Sequence, residues 1–393
     1  MSETLLRPGP LARLAAGLEP FAALRRDLHH HPELAFAEHR TAETAARMLA
    51  GWGYQVESGI AGTGLVATLQ RGHGRRSLGL RADMDALPIA EQTGLPHASR
   101  SPGVMHACGH DGHVAILLAA ARDLALHGEF DGRLTLIFQP AEETGSGARR
   151  MLAEGLFDRF PVDAVYGLHS WPGEAEGRFG FVEGPAMAAV DLALISILGR
   201  GGHGAAPQET VDPVVVAAHV ITALQTVVSR NLDPLEMAVV TVGAIQGGEA
   251  ANVIPDSVSL KLTARSYREA ARALLERRIP AITRAQADSF GATAQVEYRR
   301  GFPALVNHAA ETGFARDVAR RLLGQDAILP DFRPRTASED FAHLLLARPG
   351  SYLFLGAGEG PALHNPRFDF NDALLLPGAA LWSGLAEAYL APS

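Results

Sequence analysis

DLALISILG (residues 191–199) is an alternating segment closed by a glycine. It reads as a strand just after GPAMAAV (184–190), where the character of the chain changes. The elements after it decide the architecture. The order is strand 191–199, helix 213–229, strand 237–246, strand 257–266, helix 268–288 and strand 293–299, with Asp212 capping the first helix and Pro213 opening it. This βαββαβ order is the ferredoxin-like pattern, complete within about 110 residues. Residues 187–300 are therefore expected to form an inserted domain.

Working outward, both flanks read as α/β. Residues 18–30 and 38–52 are amphipathic helices, and GLVATL, SLGLRA, RLTLIF and VDAVYGLH are short apolar strands, with a helix at 112–127 among them. Beyond the insertion come a helix near 308–323, ASEDFAHLLL, the strand SYLFLGAG and a closing helix at 372–390. Alternation of this kind predicts a mostly parallel sheet, so residues 1–186 and 301–393 together form one discontinuous catalytic domain.

The composition excludes several classes. A formal charge of -8 without a long basic run argues against a nucleic-acid protein. An anionic substrate must then meet a local cation. The single cysteine, Cys108, allows no intrachain disulfide framework. The opening segment MSETLLRPGPLARLAAGLEP lacks the apolar core of an export signal, and the apolar runs are read as short of a membrane span. The expected compartment is the cytoplasm.

Five residues could hold metal. Cys108 and His110 lie in HACGHDGH (106–113), at the start of an apolar helix, where a thiolate is stabilised. Glu142 and Glu143 follow the strand LIFQ, His169 ends VDAVYGLH, and His364 sits a few residues past SYLFLGAG. These are strand-end positions, where open α/β sheets bind their ligands. Taken singly, each has an ordinary explanation: a packed cysteine, a solvated acid pair, a hydrogen-bonded histidine. Together, Cys108, His110, Glu143, His169 and His364 form a mixed S, N and O set suited to Zn, Mn, Co or Ni. Five donors exceed one tetrahedral site and suit two ions sharing a ligand. A Cys/His nucleophile pair is the competing chemistry, but it leaves the acid pair and the distant histidines without a task. G-x-S-x-G and H-E-x-x-H are both absent. Gly199, Gly201 and Gly204 satisfy G-x-G-x-x-G after a strand, but Pro207 delays the next helix, and a nucleotide reading is rejected.

In RRDLHHHPELAF, GLRADMDALPI, MHACGHDGHVA, LIFQPAEE, YGLHSWP, GRGGHGAAP, ANVIPD, SEDF and LHNP, taken in this order, the chain resembles the aminoacylase and carboxypeptidase-like dinuclear metallohydrolases. The similarity is to the branch of hippurate and auxin-conjugate (indole-acetyl-amino-acid) hydrolases, and it covers nearly the whole chain. It implies that Cys108 bridges two divalent ions, with His110 and His169 on one and Glu143 and His364 on the other. Glu142 is then the general base. His203 would stabilise the oxyanion from a lid, and Asn252 and Arg265 would hold the substrate carboxylate, although Leu262-Thr263-Ala264-Arg265 departs slightly from the family's usual Gly-Thr-x-Arg. Asp85 would orient a ligand, while His29, His30, His31, His106, Asp111 and His113 are expected to be scaffold. The implied activity is hydrolysis of N-acyl amino acids by a homodimer joined through the inserted domain. An N-acetyl-diaminopimelate deacetylase or a dipeptidase of the same family is the alternative, and a non-catalytic, redox-responsive relative stands further off.

Overall fold

The computed structural model describes residues 9–392. Residues 1–8, the head of the segment scanned for an export signal, and Ser393 lie outside the described residues. The chain divides into two compact units. The first comprises the chain up to Gly184, Val306–Pro334 and the chain from Glu339 onward; the second comprises Pro185–Leu305 and Arg335–Ser338.

In chain order the first unit contributes α1 (Glu19–His30), α2 (His39–Gly51), β1 (Gln55–Ile60), β2 (Gly64–Arg71), β3 (Ser77–Asp83), α3 (His110–His127), β4 (Gly132–Gln139), β5 (Ala164–Trp171) and β6 (Phe179–Gly180). The second unit contributes β7 (Ala189–Leu198), β8 (Gly202–His203), α4 (Pro213–Asn231), β9 (Ala238–Gln246), β10 (Val253–Ile254), β11 (Ser257–Ser266), α5 (Glu269–Asp288) and β12 (Thr293–Arg300). The chain then returns to the first unit for α6 (Ala309–Leu323), β13 (Gly350–Gly356) and α7 (Leu375–Tyr389).

The first unit is built on a seven-stranded sheet in the order β1-β2-β4-β3-β5-β13-β6. Its centre is parallel, β4 to β3 to β5 to β13, while the edge pairs β1–β2, β2–β4 and β6–β13 are antiparallel. Strands buried on both faces read as unbroken apolar runs, which is why β3, β4, β5 and β13 stand out in the sequence. The edge strand β1, QVESGI, is mostly exposed and carries no such run, so patterning passes over it. Helices α3 and α7 are apolar nearly all round and pack on each other in the core. Gly378 allows that approach, since a Cβ there would lie 2.7 Å from Ile116 Cδ1.

The second unit holds an antiparallel sheet in the order β9-β11-β7-β12. Alternation puts Ala193, Ile195 and Ile197 of β7 with Val258, Leu260 and Leu262 of β11 in a core that Val220 and Leu224 of α4 and Leu275 and Ile279 of α5 complete. This unit runs slightly past the expected 187–300 because main-chain bonds draw its flanks in. Ala188 N–H donates to the carbonyls of Arg335 (3.2 Å) and Ala337 (3.0 Å), and Val190 N–H to that of Phe302 (3.1 Å). By length and composition α4 could cross a membrane, which corrects the expectation that every apolar run is too short; a core helix of a folded unit passes the same test.

Candidate metal centre

The carboxyl ends of the central parallel strands are level, with Asp83 of β3 opposite Gln139 of β4 and His169 of β5 opposite Phe354 of β13. At this edge the chain from β3 supplies Asp85, the chain from β4 supplies Glu142 and Glu143, and β5 supplies His169. The amino end of α3 supplies Cys108 and His110 across Gly109, whose φ of +88° lies in the left-handed region that favours glycine. His364 also adopts a positive φ, +64°, and its main-chain N–H donates to Ala107 O at 2.8 Å, tying it to the Cys108 loop.

The donor atoms of Cys108, His110 and His169 all lie within 4.8 Å of one another, and so do those of Cys108, Glu143 and His364. The structure therefore gathers all five sequence candidates into two triads that share the thiol. Cys108 Sγ is 3.4 Å from His169 Nε2, and His364 Nε2 is 3.3 Å from Glu143 Oε1.

Hydrogen bonds distinguish the candidate donor histidines from their neighbours. His110 Nδ1–H donates to the Asp85 carbonyl (2.8 Å) and His169 Nδ1–H to the Ser170 carbonyl (2.7 Å). In both rings Nδ1 is engaged with a main-chain carbonyl, which leaves Nε2 as the nitrogen available to a metal, the arrangement expected of ligating imidazoles. Among the described residues His110 Nε2 is buried with no hydrogen-bond partner, and Glu143 Oε1 has the His364 ring 3.3 Å away. His113 also lies within ligand range of Asp83 and His110, but its Nδ1–H donates to Asp83 Oδ1 (2.7 Å) and its Nε2 accepts from Ser170 N–H (3.0 Å). It is scaffold. Asp85 accepts the main-chain N–H of Glu142 at Oδ1 and of Glu143 at Oδ2, each at 3.0 Å, so it sets both carboxylates at once.

The electrostatics fit a cationic occupant. Burial, with Glu143, Glu142 and Asp83 nearby, pushes the Cys108 thiol well above its ordinary range. Burial likewise raises the Glu142 carboxyl, helped by Glu339, Glu143 and Asp340. For His110 burial opposes charge, but Asp83 and Asp85 prevail and lift it to about 10. For His169 burial and His113 both act downward and keep the ring neutral. A thiol, carboxylates and imidazoles held this close, among buried acids that favour positive charge, make a donor set suited to divalent metals.

His29, His30 and His31 are scaffold as well. His29 Nδ1–H donates to Asp111 (2.9 Å), and the Nδ1–H groups of His30 and His31 donate to the carbonyls of Ala98 and Asp27. Sequence patterning missed Arg81, Glu339 and Asp340. Arg81 is fully buried and donates to Gln139 (2.9 Å), Asp83 (2.6 Å), Glu339 (2.9 Å) and Asp340 (3.2 Å). Their signal lies in RADMD and SEDF, which the resemblance uses only as motifs.

His203, Asn252 and Arg265 belong to the second unit. β8 pairs with β10, placing His203 opposite Val253, and Gly204 N–H donates to Asn252 O at 2.8 Å. His203 Nδ1 accepts from Ala205 N–H (3.0 Å), which leaves a proton on its exposed Nε2. Arg265 donates to the Thr336 carbonyl (2.8 Å) and to Ser338 Oγ (3.2 Å).

Comparison with known proteins identifies the family. The chain is 41% identical over 370 residues to the hippurate hydrolase of Campylobacter jejuni, covering 94% of this chain and 96% of that one. It is also 41% identical, over 354 residues, to the N-acetyl-L-cysteine deacetylase of Bacillus subtilis, covering 90% and 84% of the two chains. A dinuclear metal binding peptidase of the M20 family from Bacillus subtilis superposes with a TM-score of 0.84 at 32% identity, covering 96% of this chain and 99% of that one. Residues 79–388 match the model of Peptidase family M20/M25/M40, and the chain belongs to that family.

Proposed function

We propose that the protein is a metal-dependent amidohydrolase that cleaves N-acyl amino acids to a carboxylic acid and a free amino acid. The observation that carries this reading is the pair of donor triads sharing Cys108, with Glu142 next in the chain to the ligand Glu143. His110 and His169 are assigned to one divalent ion and Glu143 and His364 to the other, with Zn, Mn, Co or Ni suited to the mixed donors. When bound, such ions supply Lewis acidity toward the amide carbonyl and make a water easier to deprotonate.

The chain's own groups do the rest. Glu142, as the carboxylate, takes a proton from the attacking water and delivers it to the leaving amine; burial, which favours the protonated form, helps it hold that proton between the two transfers. His203 offers Nε2–H to the oxygen that gains charge. Arg265 and Asn252 pair with the substrate carboxylate, Arg265 being the local cation that an acidic chain needs for an anionic substrate. Exposed Val214 and Val215 on α4 and Val239 and Ile245 on the edge strand β9 favour a homodimer through the second unit, which would act as lid and dimerisation domain. The lone cysteine suits the reducing cytoplasm.

The test is a hydrolysis panel of acetyl, benzoyl, long-chain acyl and indole-acetyl amino acids, with dipeptides and N-acetyl-diaminopimelate as further arms, each run with Mn, Zn and Co. Acyl amino acids are expected to be cleaved fastest. Glu142→Ala, with both metals retained, is expected to lose about 100-fold or more in kcat. Rates at background across the acyl panel would defeat the substrate assignment, and unimpaired Glu142→Ala the base.

A further inference from the structure

We infer that the SEDF turn (338–341) holds the working carboxylate of Glu142 in place, with Asp340 as its positioning residue; this rests on Glu142 being the base.

Asp340 N–H donates to Glu142 Oε1 at 3.2 Å. With Asp85 accepting the Glu142 main-chain N–H, the residue is fixed at its backbone from β3 and at its side chain from the SEDF turn. Among the described residues no hydrogen bond goes to Oε2, which leaves that oxygen to move the proton.

The turn is itself anchored. Asp340 Oδ1 accepts from Gln139 Nε2 (2.7 Å) and Arg81 (3.2 Å), and its Oδ2 from Ala148 N–H (2.9 Å). Glu339 Oε1 accepts from Arg81 and from Phe341 N–H, both at 2.9 Å, and Oε2 accepts from the Tyr352 hydroxyl. All these side chains are buried. Glu142, Glu339 and Asp340 bring carboxylate oxygens within 4.8 Å of one another. This is not a third metal site, because the Arg81 guanidinium already supplies the cation. Bonds to Arg81 of β3, Gln139 of β4, Tyr352 of β13 and the Ala148 amide hold the turn, and its Asp340 amide points at Glu142.

An asparagine at 340 cannot accept at both oxygens, so Asp340→Asn should turn the amide away. In the metal-loaded enzyme kcat is expected to fall on the order of 10- to 100-fold, while KM stays within about twofold. Two metals per chain should remain by elemental analysis. In a Glu142→Ala background the same change should cause no further loss, because a residue that acts only through Glu142 has nothing left to position. Tyr352→Phe removes one bond behind Glu339 and runs the same cycle with a smaller loss of a few fold, which serves if Asp340→Asn does not fold. An unchanged kcat, a loss confined to KM or metal content, or an equal loss in the Glu142→Ala background overturns the role. If Glu142→Ala alone keeps full activity, the base assignment falls first and takes this role with it.

Discussion

Cys108 shows how far a single residue can be read. Alone, a buried cysteine is most simply packing, and its solvent-shielded thiol, raised further by Glu143, Glu142 and Asp83, is a poor nucleophile in the absence of cations. Its membership of both donor triads changes that reading. Cys108→Ala removes the shared donor, so metal content is expected to fall below two ions per chain, and kcat/KM by at least about 100-fold. Titration against a competing chelator checks the first and kinetics at saturating metal the second; two tightly held ions in the variant would refute the bridge. The five candidate donors could be picked out because each sits beside a strand end or a helix start, positions that local patterning marks. Arg81 and Asp340 were not, because the two are 259 positions apart and only the tertiary fold brings the turn at Asp340 to β3.

Among elements, α1 packs on α3, whose amino end carries the proposed ligands Cys108 and His110. His29 of α1 and Asp111, in the first turn of α3, form a buried pair at 2.9 Å, and His29 Nε2 stands 3.5 Å from Glu91 Oε1. Burial by itself lowers the His29 pKa, but Asp111 and Glu91 outweigh it and raise it from 6.5 to about 10. A raised folded-state pKa contributes stability that is complete below pH 6.5 and is lost as pH rises through about 10. Urea unfolding of the parent is expected to weaken across that window. His29→Asn keeps a donor toward Asp111 without a titrating ring, so its alkaline limb should be flatter; parallel curves would show that His29 is not charged in the fold. A second constraint acts at Gly112, where a Cβ would lie 2.3 Å from the Phe370 ring. Gly112→Ala is expected to cost about 1–3 kcal/mol by overpacking and to weaken metal affinity with it, measurable by thermal unfolding and chelator competition. Neither contact can be read from helix periodicity, which reports that α1 and α3 exist but not what meets their ends.

For the whole molecule, the two units have separate hydrophobic cores, and every proposed metal ligand belongs to the first. The βαββαβ order was legible because antiparallel strands with one buried face alternate cleanly. The insertion's true edge was not, since Arg335–Ser338 joins the second unit by main-chain bonds that leave no side-chain pattern. This separation has a measurable consequence. Replacing residues 186–304 by a short Gly-Ser linker removes His203, Asn252 and Arg265 but no ligand and no member of the first core. The shortened chain is expected to fold, with a lowered Tm because Arg335–Ser338 loses its partners, and to bind two metals per chain. If the second unit supplies the oxyanion donor and the carboxylate contacts, kcat/KM on acyl amino acids should drop by about 1,000-fold or more while metal content stays whole. Retained hydrolysis would place the substrate contacts within the first unit. A folded chain that holds no metal would mean that the donor triads depend on the second unit, contrary to the hydrogen bonds from Asp85, Ser170 and Ala107 that fix them from within the first.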